Sequence, residues 1–162
     1  MKFTGRQDGR LCFTLSRAEH EMLRWLFSHF PLQDAGARSL CRRDDAGLRE
    51  TNAWLREALA EERTALKQWL RGRFGAEPAG EGPVQLRIEP AEAERLLQTA
   101  NELRIGAWQL LGCPENLDDP GGPETPERLQ WQALLEMAGI VEMVLLAGLH
   151  GCGDASAGTE AA

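Results

Sequence analysis

Hydrophobic positions along the chain change period several times, and each change marks an element. Residues 2 to 15 (KFTGRQDGRLCFTL) place Phe3 in one short run and Leu11, Phe13 and Leu15 in a second. Asp8-Gly9 between the runs is the two-residue signature of a tight turn. This predicts a β-hairpin whose second strand presents Leu11, Phe13 and Leu15 on one face. From Ser16 the period becomes helical. Met22, Leu23, Leu26, Phe27 and Phe30 form one stripe, and Ser16 with Glu19 three positions later predicts a reciprocal capping box around the free first-turn amides. Pro31 stops this helix, because the residue before a proline is pushed out of helical geometry.

No period runs through residues 31 to 46, which are expected to form a loop with one helical turn near Arg38 to Cys41. A long helix follows, with Leu48, Leu55, Leu59, Leu66 and Leu70 along one face and Gly72 with Gly75 as its end. The segment 75 to 83 (GAEPAGEGP) is a flexible connector by composition. Val84, Leu86 and Ile88 then alternate with Gln85, Arg87 and Glu89, the pattern of a half-buried strand that joins the hairpin in a three-stranded sheet.

Pro90 opens the next helix, where a missing N–H costs nothing, and Glu92 and Glu94 suit the positive end of its dipole. Its stripe is Ala93, Leu96, Leu97, Ala100, Leu103, Ala107, Leu110 and Leu111, closed by Gly112 and Pro114. An acidic, proline-rich loop (116 to 126) leads to a last helix from about Pro126 to His150, capped by Thr125 or Glu124. The expected fold is therefore mainly α (α+β): four principal helices packed with a small antiparallel sheet, made of the N-terminal hairpin plus one mid-chain strand. Residues 1 to 150 form a single domain in this reading, and the small, polar residues 151 to 162 a disordered tail. Strand, capped helix, loop and second long helix recur in both halves, a layout open to internal duplication or to the generic likeness of such units.

Composition adds limits. At 162 residues the chain is long enough for one core, and 43% hydrophobic with 27% charged residues is an ordinary globular balance. A formal charge of -7 repels phosphate backbones and anionic membranes, so nucleic-acid binding is disfavoured outside a local basic patch at Arg38, Arg42 and Arg43 or Lys67, Arg71 and Arg73. Cys12, Cys41, Cys113 and Cys152 are far apart and the N-terminus shows no signal segment, which predicts a cytoplasmic protein with free thiols. The most apolar stretch, Met137 to Leu149, is shorter than the ~20 residues of a bilayer-spanning helix, so no membrane association is expected.

Candidate chemistry is sparse. Arg104 lies on the apolar stripe of its helix and Glu62 on that of the long helix, so a buried ion pair between them, or from Arg104 to Glu136 or Glu142, is expected to fix helix register. Cys41 beside Arg42 and Arg43 is the candidate reactive thiol. His150, Cys152 and Cys113 could approach one another, but no C-x-x-C pair is present to suggest zinc, and no cofactor or metal motif is found. His20 and His29 are expected on the surface or rim. The five tryptophans, all in predicted helices, suit core packing or an interface. Met137, Ile140, Met143 and Val144 are candidate interface residues, because the last helix has more apolar faces than one small core requires.

A resemblance narrows these options. Asn101-Glu102-Leu103-Arg104 with Ile105 and Leu111-Gly112, together with LSRAEHEMLRWLF, LREALAEERTALKQWL and QLRIEPAEAERLLQTANELRIGAWQLLG, resembles a bacterial family of largely uncharacterised proteins that includes the actinobacterial AosR-like oxidative stress regulators. The likeness runs from Phe13 to Leu149. It implies a small, non-catalytic regulatory or protein-interaction domain with a protein partner linked to a Clp protease adaptor or to transcription. The redox-regulated members use a closely spaced cysteine pair, whereas here the nearest two, Cys12 and Cys41, are 29 positions apart, so no cysteine role carries over. The leading expectation is a homodimeric, non-catalytic interaction protein. Its alternatives are a transcriptional regulator touching DNA or a polymerase factor through Arg38 to Arg43, and a hydrolase built on Asp118, Asp119 and Glu124.

Overall fold

The structure, a computed structural model, describes residues 1–32, 46–116 and 123–151, without the side chains of residues 46–52 and 56. Strands β1 (Lys2–Gln7) and β2 (Arg10–Leu15) form the hairpin. Asp8 and Gly9 both have positive φ, 52° and 77°, the geometry in which the turn matches the twist of its strands. β3 (Val84–Ile88) pairs antiparallel with β2, so the order is β1-β2-β3, with Leu11, Phe13 and Leu15 opposite Ile88, Leu86 and Val84. A bulge between Phe3 and Gly5 lets Phe3 stay opposite Phe13 on the apolar face, their rings 5.4 Å apart.

Helix α1 (Arg17–Ser28) starts on the predicted box: the Glu19 N–H donates to Ser16 Oγ (3.2 Å) and the Ser16 N–H to Glu19 Oε2 (2.7 Å). The Met1 amino group also donates to Glu19, and this contact first, then the Ser16 amide, lowers the carboxyl below its ordinary range. Leu23, Leu26, Phe27 and Phe30 are buried, but Met22 is 47% exposed. His20, expected at the surface, is instead 8% exposed against Phe74.

Helix α2 (Ala46–Phe74) runs through Gly72 and is followed by Gly75, so only the second glycine marks its end. Its apolar line is not a buried face throughout. Leu70 and Phe74 enter the core, Leu66 and Trp69 pack against it, Leu55 and Leu59 are half-buried, and Trp54 is exposed. Glu62 is exposed, which corrects its placement on a buried line.

Helix α3 (Pro90–Leu110) begins with the Glu89 N–H donating to Glu92 Oε2 at 2.9 Å, and α4 (Pro126–His150) with the Arg128 N–H donating to Thr125 Oγ1 at 3.2 Å. Arg104 lies beside Glu142, and Trp108 beside Leu135, so the two helices run antiparallel. Ala93, Leu96, Ala100, Leu103 and Ala107 of α3 meet Leu134, Ala138, Val141 and Leu145 of α4, and the sheet closes one side of this pair. At Gly148 a Cβ would lie 2.8 Å from Phe13 Cζ and 3.2 Å from Phe3 Cδ2, so glycine is what lets α4 reach the hairpin. Phe13, Leu15, Leu103 and Leu134 are wholly buried, each contributing about 1.5–3 kcal/mol of apolar transfer. Leu110, predicted in the α3 stripe, is 44% exposed.

Candidate functional site

The sequence-predicted candidates fall in three places. Cys41, the Arg38 to Arg43 patch, Cys152, Asp118, Asp119 and the expected disordered tail beyond Gly151 lie outside the described residues. Glu124, His150 and Cys113 are described and exposed. The rest lie on the helices: Glu62 with the Lys67, Arg71 and Arg73 patch on α2, Arg104 on α3, and Glu136, Glu142 and the interface candidates on α4.

Arg104 does not meet Glu62. Its Nε donates to Glu142, 3.1 and 3.2 Å from the two carboxylate oxygens, and its Nη2 to Asn101 Oδ1 at 3.3 Å. The side chains are 44% and 16% exposed, so this is a half-exposed pair at the edge of the α3–α4 seam rather than a buried one. The cation facing Glu102 is Arg63 of α2, a bridge that no spacing along the chain pointed to. Ile105 (42% exposed) and Trp108 border a shallow cleft of about 180 Å³ beside Arg104 and Leu135.

On the opposite flank, His29 Nε2 lies 2.7 Å from Gln130 Nε2 and Nδ1 lies 2.8 Å from the Trp25 carbonyl. Only one tautomer satisfies both: Nδ1–H donates to the carbonyl and Nε2 accepts from the Gln130 amide. His29 is therefore a strut between α1 and α4. His20 Nδ1 has no hydrogen-bond partner, and the ring centroid lies 6.4 Å from that of Phe74. The Ser28 hydroxyl lies 3.5 Å from His29 Nδ1 but donates to the Trp25 carbonyl at 2.7 Å, the same oxygen that the imidazole N–H is given to, so His29 is not placed as a base toward it. Among the described residues no three His, Cys, Asp or Glu groups lie close enough to hold a metal ion.

Between these flanks α4 presents a face that none of the described elements covers. Leu129, Ile140, Met143 and Leu146 are 51%, 54%, 63% and 39% exposed, whereas Leu134, Ala138, Val141 and Leu145 of the same helix are buried. Of the four candidate interface residues, Ile140 and Met143 belong to the open face; Met137 and Val144 are half-buried and pack on the core. Gly139 lies beside the open face, with no atom within 4 Å of where a Cβ would stand. The whole helix has 25 residues and a window of mean hydropathy 1.7, of which 33% is buried. By length and composition it could cross a membrane, which the shorter apolar stretch had not suggested. Its inner residues are committed to the core, so insertion would dismantle the fold.

The sheet carries a second, polar hollow on the side away from the helices. It measures about 360 Å³ and is bordered by Thr4, Arg6, Gln85 and Arg87 around the half-buried Cys12. Arg87 stands directly across from Cys12 in the ladder, a juxtaposition that needs the β2–β3 register and so could not be read from spacing along the chain.

Comparison with known proteins gives no match to a family model, to a curated protein or to a solved structure.

Proposed function

We propose that this protein is a non-catalytic, cytoplasmic interaction and regulatory module that acts as a homodimer through the outer face of α4. One observation carries the reading: Ile140, Met143, Leu146 and Leu129 are exposed along a helix whose other side is core. Large apolar side chains scattered singly on a surface, as Leu129 is, are ordinary, but Ile140, Met143 and Leu146 follow one another at intervals of three and form a patch of the kind that marks a protein contact. A second copy is the partner that offers a matching strip by definition, since a two-fold contact uses the same patch twice. The likeness to the AosR-like regulators supports a role in regulation rather than catalysis, with a Clp-adaptor-linked or transcription-linked protein as the further partner. Cytoplasmic residence fits four cysteines spaced widely along the chain, of which Cys12 and Cys113 are free thiols.

Sedimentation equilibrium over a hundred-fold range of concentration tests the proposal. The protein is expected to pass from monomer to dimer, and Met143→Glu to stay monomeric with unchanged helical circular dichroism and unchanged melting temperature. A wild-type chain that is monomeric throughout overturns the dimer. So does a monomer that floats with lipid vesicles, which would assign the strip to a bilayer surface.

A further inference from the structure

The outer face of α4 also fixes how two copies would meet; this inference rests on the pairing proposed above. Glu136, Gly139, Met143, Leu146 and His150 recur at alternating intervals of three and four, so they form one straight seam of roughly 21 Å along the helix. The seam is apolar except at its two ends. Glu136 and His150 are both exposed, one a carboxylate and the other able to donate an N–H to it.

A parallel two-fold contact would set Glu136 beside its own copy, and like charges brought together in an apolar contact repel strongly. An antiparallel contact centred midway along the whole helix would press Glu136 against apolar side chains without a partner. Moving the two-fold axis to Met143 removes both conflicts. Met143 then faces its own copy, Ile140 faces the partner's Leu146, Gly139 faces the partner's Ala147, and Glu136 faces the partner's His150. The open space at Gly139 and the small Ala147 lie opposite one another, where close approach of two helices needs small residues.

We propose that two copies pair antiparallel along α4 about an axis at Met143, each Glu136 carboxylate accepting the imidazole N–H of the partner's His150. The contact spans about four turns, which makes it smaller than an obligate interface and its assembly concentration-dependent.

Cysteine cross-linking and charge reversal test the register on the full chain, with Cys12, Cys41, Cys113 and Cys152 replaced by serine. Met143→Cys is expected to give a disulfide-linked dimer under mild oxidation, because residues on the axis of a close helix pair come within disulfide reach. Leu129→Cys, outside the overlap, is expected to remain unlinked. Without added cysteines, His150→Glu should weaken dimerisation about ten-fold or more by facing Glu136 with a second carboxylate, and adding Glu136→Lys should restore it. A dimer in which Leu129→Cys links faster than Met143→Cys, or in which the double reversal stays as weak as His150→Glu, overturns the register and leaves the α4 pairing standing. A wild-type chain that never dimerises overturns both.

Discussion

The inner and outer faces of α4 both carry large apolar side chains, and these meet opposite surroundings. Leu134, Val141 and Leu145 on one side are 0%, 7% and 1% exposed; Leu129, Ile140 and Met143 on the other are 51%, 54% and 63% exposed. Each face even has its glycine. Gly148 sits where a Cβ would collide with Phe13, and Gly139 where a Cβ would meet nothing. Hydropathy alone does not tell these faces apart, because both are apolar. What separates them is the sheet and α3, which occupy one side and leave the other bare. Apolar character shows that a face wants a partner; only the rest of the fold shows whether it already has one.

That contrast can be broken from the inside. Truncating Leu145→Ala should cost about 2–5 kcal/mol, since a fully buried leucine leaves a cavity that its neighbours fill only in part; urea unfolding would measure it. Gly148→Ala should cost about 1–3 kcal/mol by forcing Phe13 or α4 to shift, with the same readout. On the outer side, Gly139→Ala should stabilise the monomer by up to about 1 kcal/mol, because alanine is the better helix former and the space is free. A destabilised Gly139→Ala monomer would mean that the outer face is less open than its geometry. At the border, Arg104→Ala should cost under about 1 kcal/mol, the worth of a half-exposed ion pair, and the loss should shrink in high salt. A larger, salt-independent loss would move Arg104 to the inner side of the comparison.

The same border shows what the sequence could and could not disclose. The hairpin turn at Asp8-Gly9, the Ser16–Glu19 box, a cap at Thr125 or Glu124 (Thr125 in the structure) and the alternation of Val84, Leu86 and Ile88 were legible because each depends on residues within a few positions of one another. Arg104 was misplaced because a stripe is read at about 100° per residue, and a position on its edge is one turn from apolar neighbours while still opening to solvent. Glu62 and the upper leucines of α2 failed for another reason. An amphipathic pattern predicts a buried face only where some other element comes to cover it, and among the described side chains of α2 it is those of the last turns, Leu70 and Phe74, that enter the core. His20 was missed because burial of a polar ring depends on Phe74, more than fifty residues away, and no local signal carries that contact. Of the candidate interface, Ile140 and Met143 were legible as surplus apolar positions, while the half-burial of Met137 and Val144 depends on what packs beside them.

The contact of Gly148 with Phe13 and Phe3 has a consequence for how the molecule is made. A ribosome delivers the hairpin first and α4 a hundred and more residues later, so the apolar side of the sheet and the inner side of α3 emerge with their cover still unsynthesised. The hairpin and α3 can take shape early, but Phe13, Leu103 and Ala107 stay open to stray contacts or to a chaperone until α4 arrives. Closure of the core and display of the bare apolar strip then happen in one step, because a single helix supplies both. A translation product broken off before α4 can therefore neither complete its interior nor display that strip.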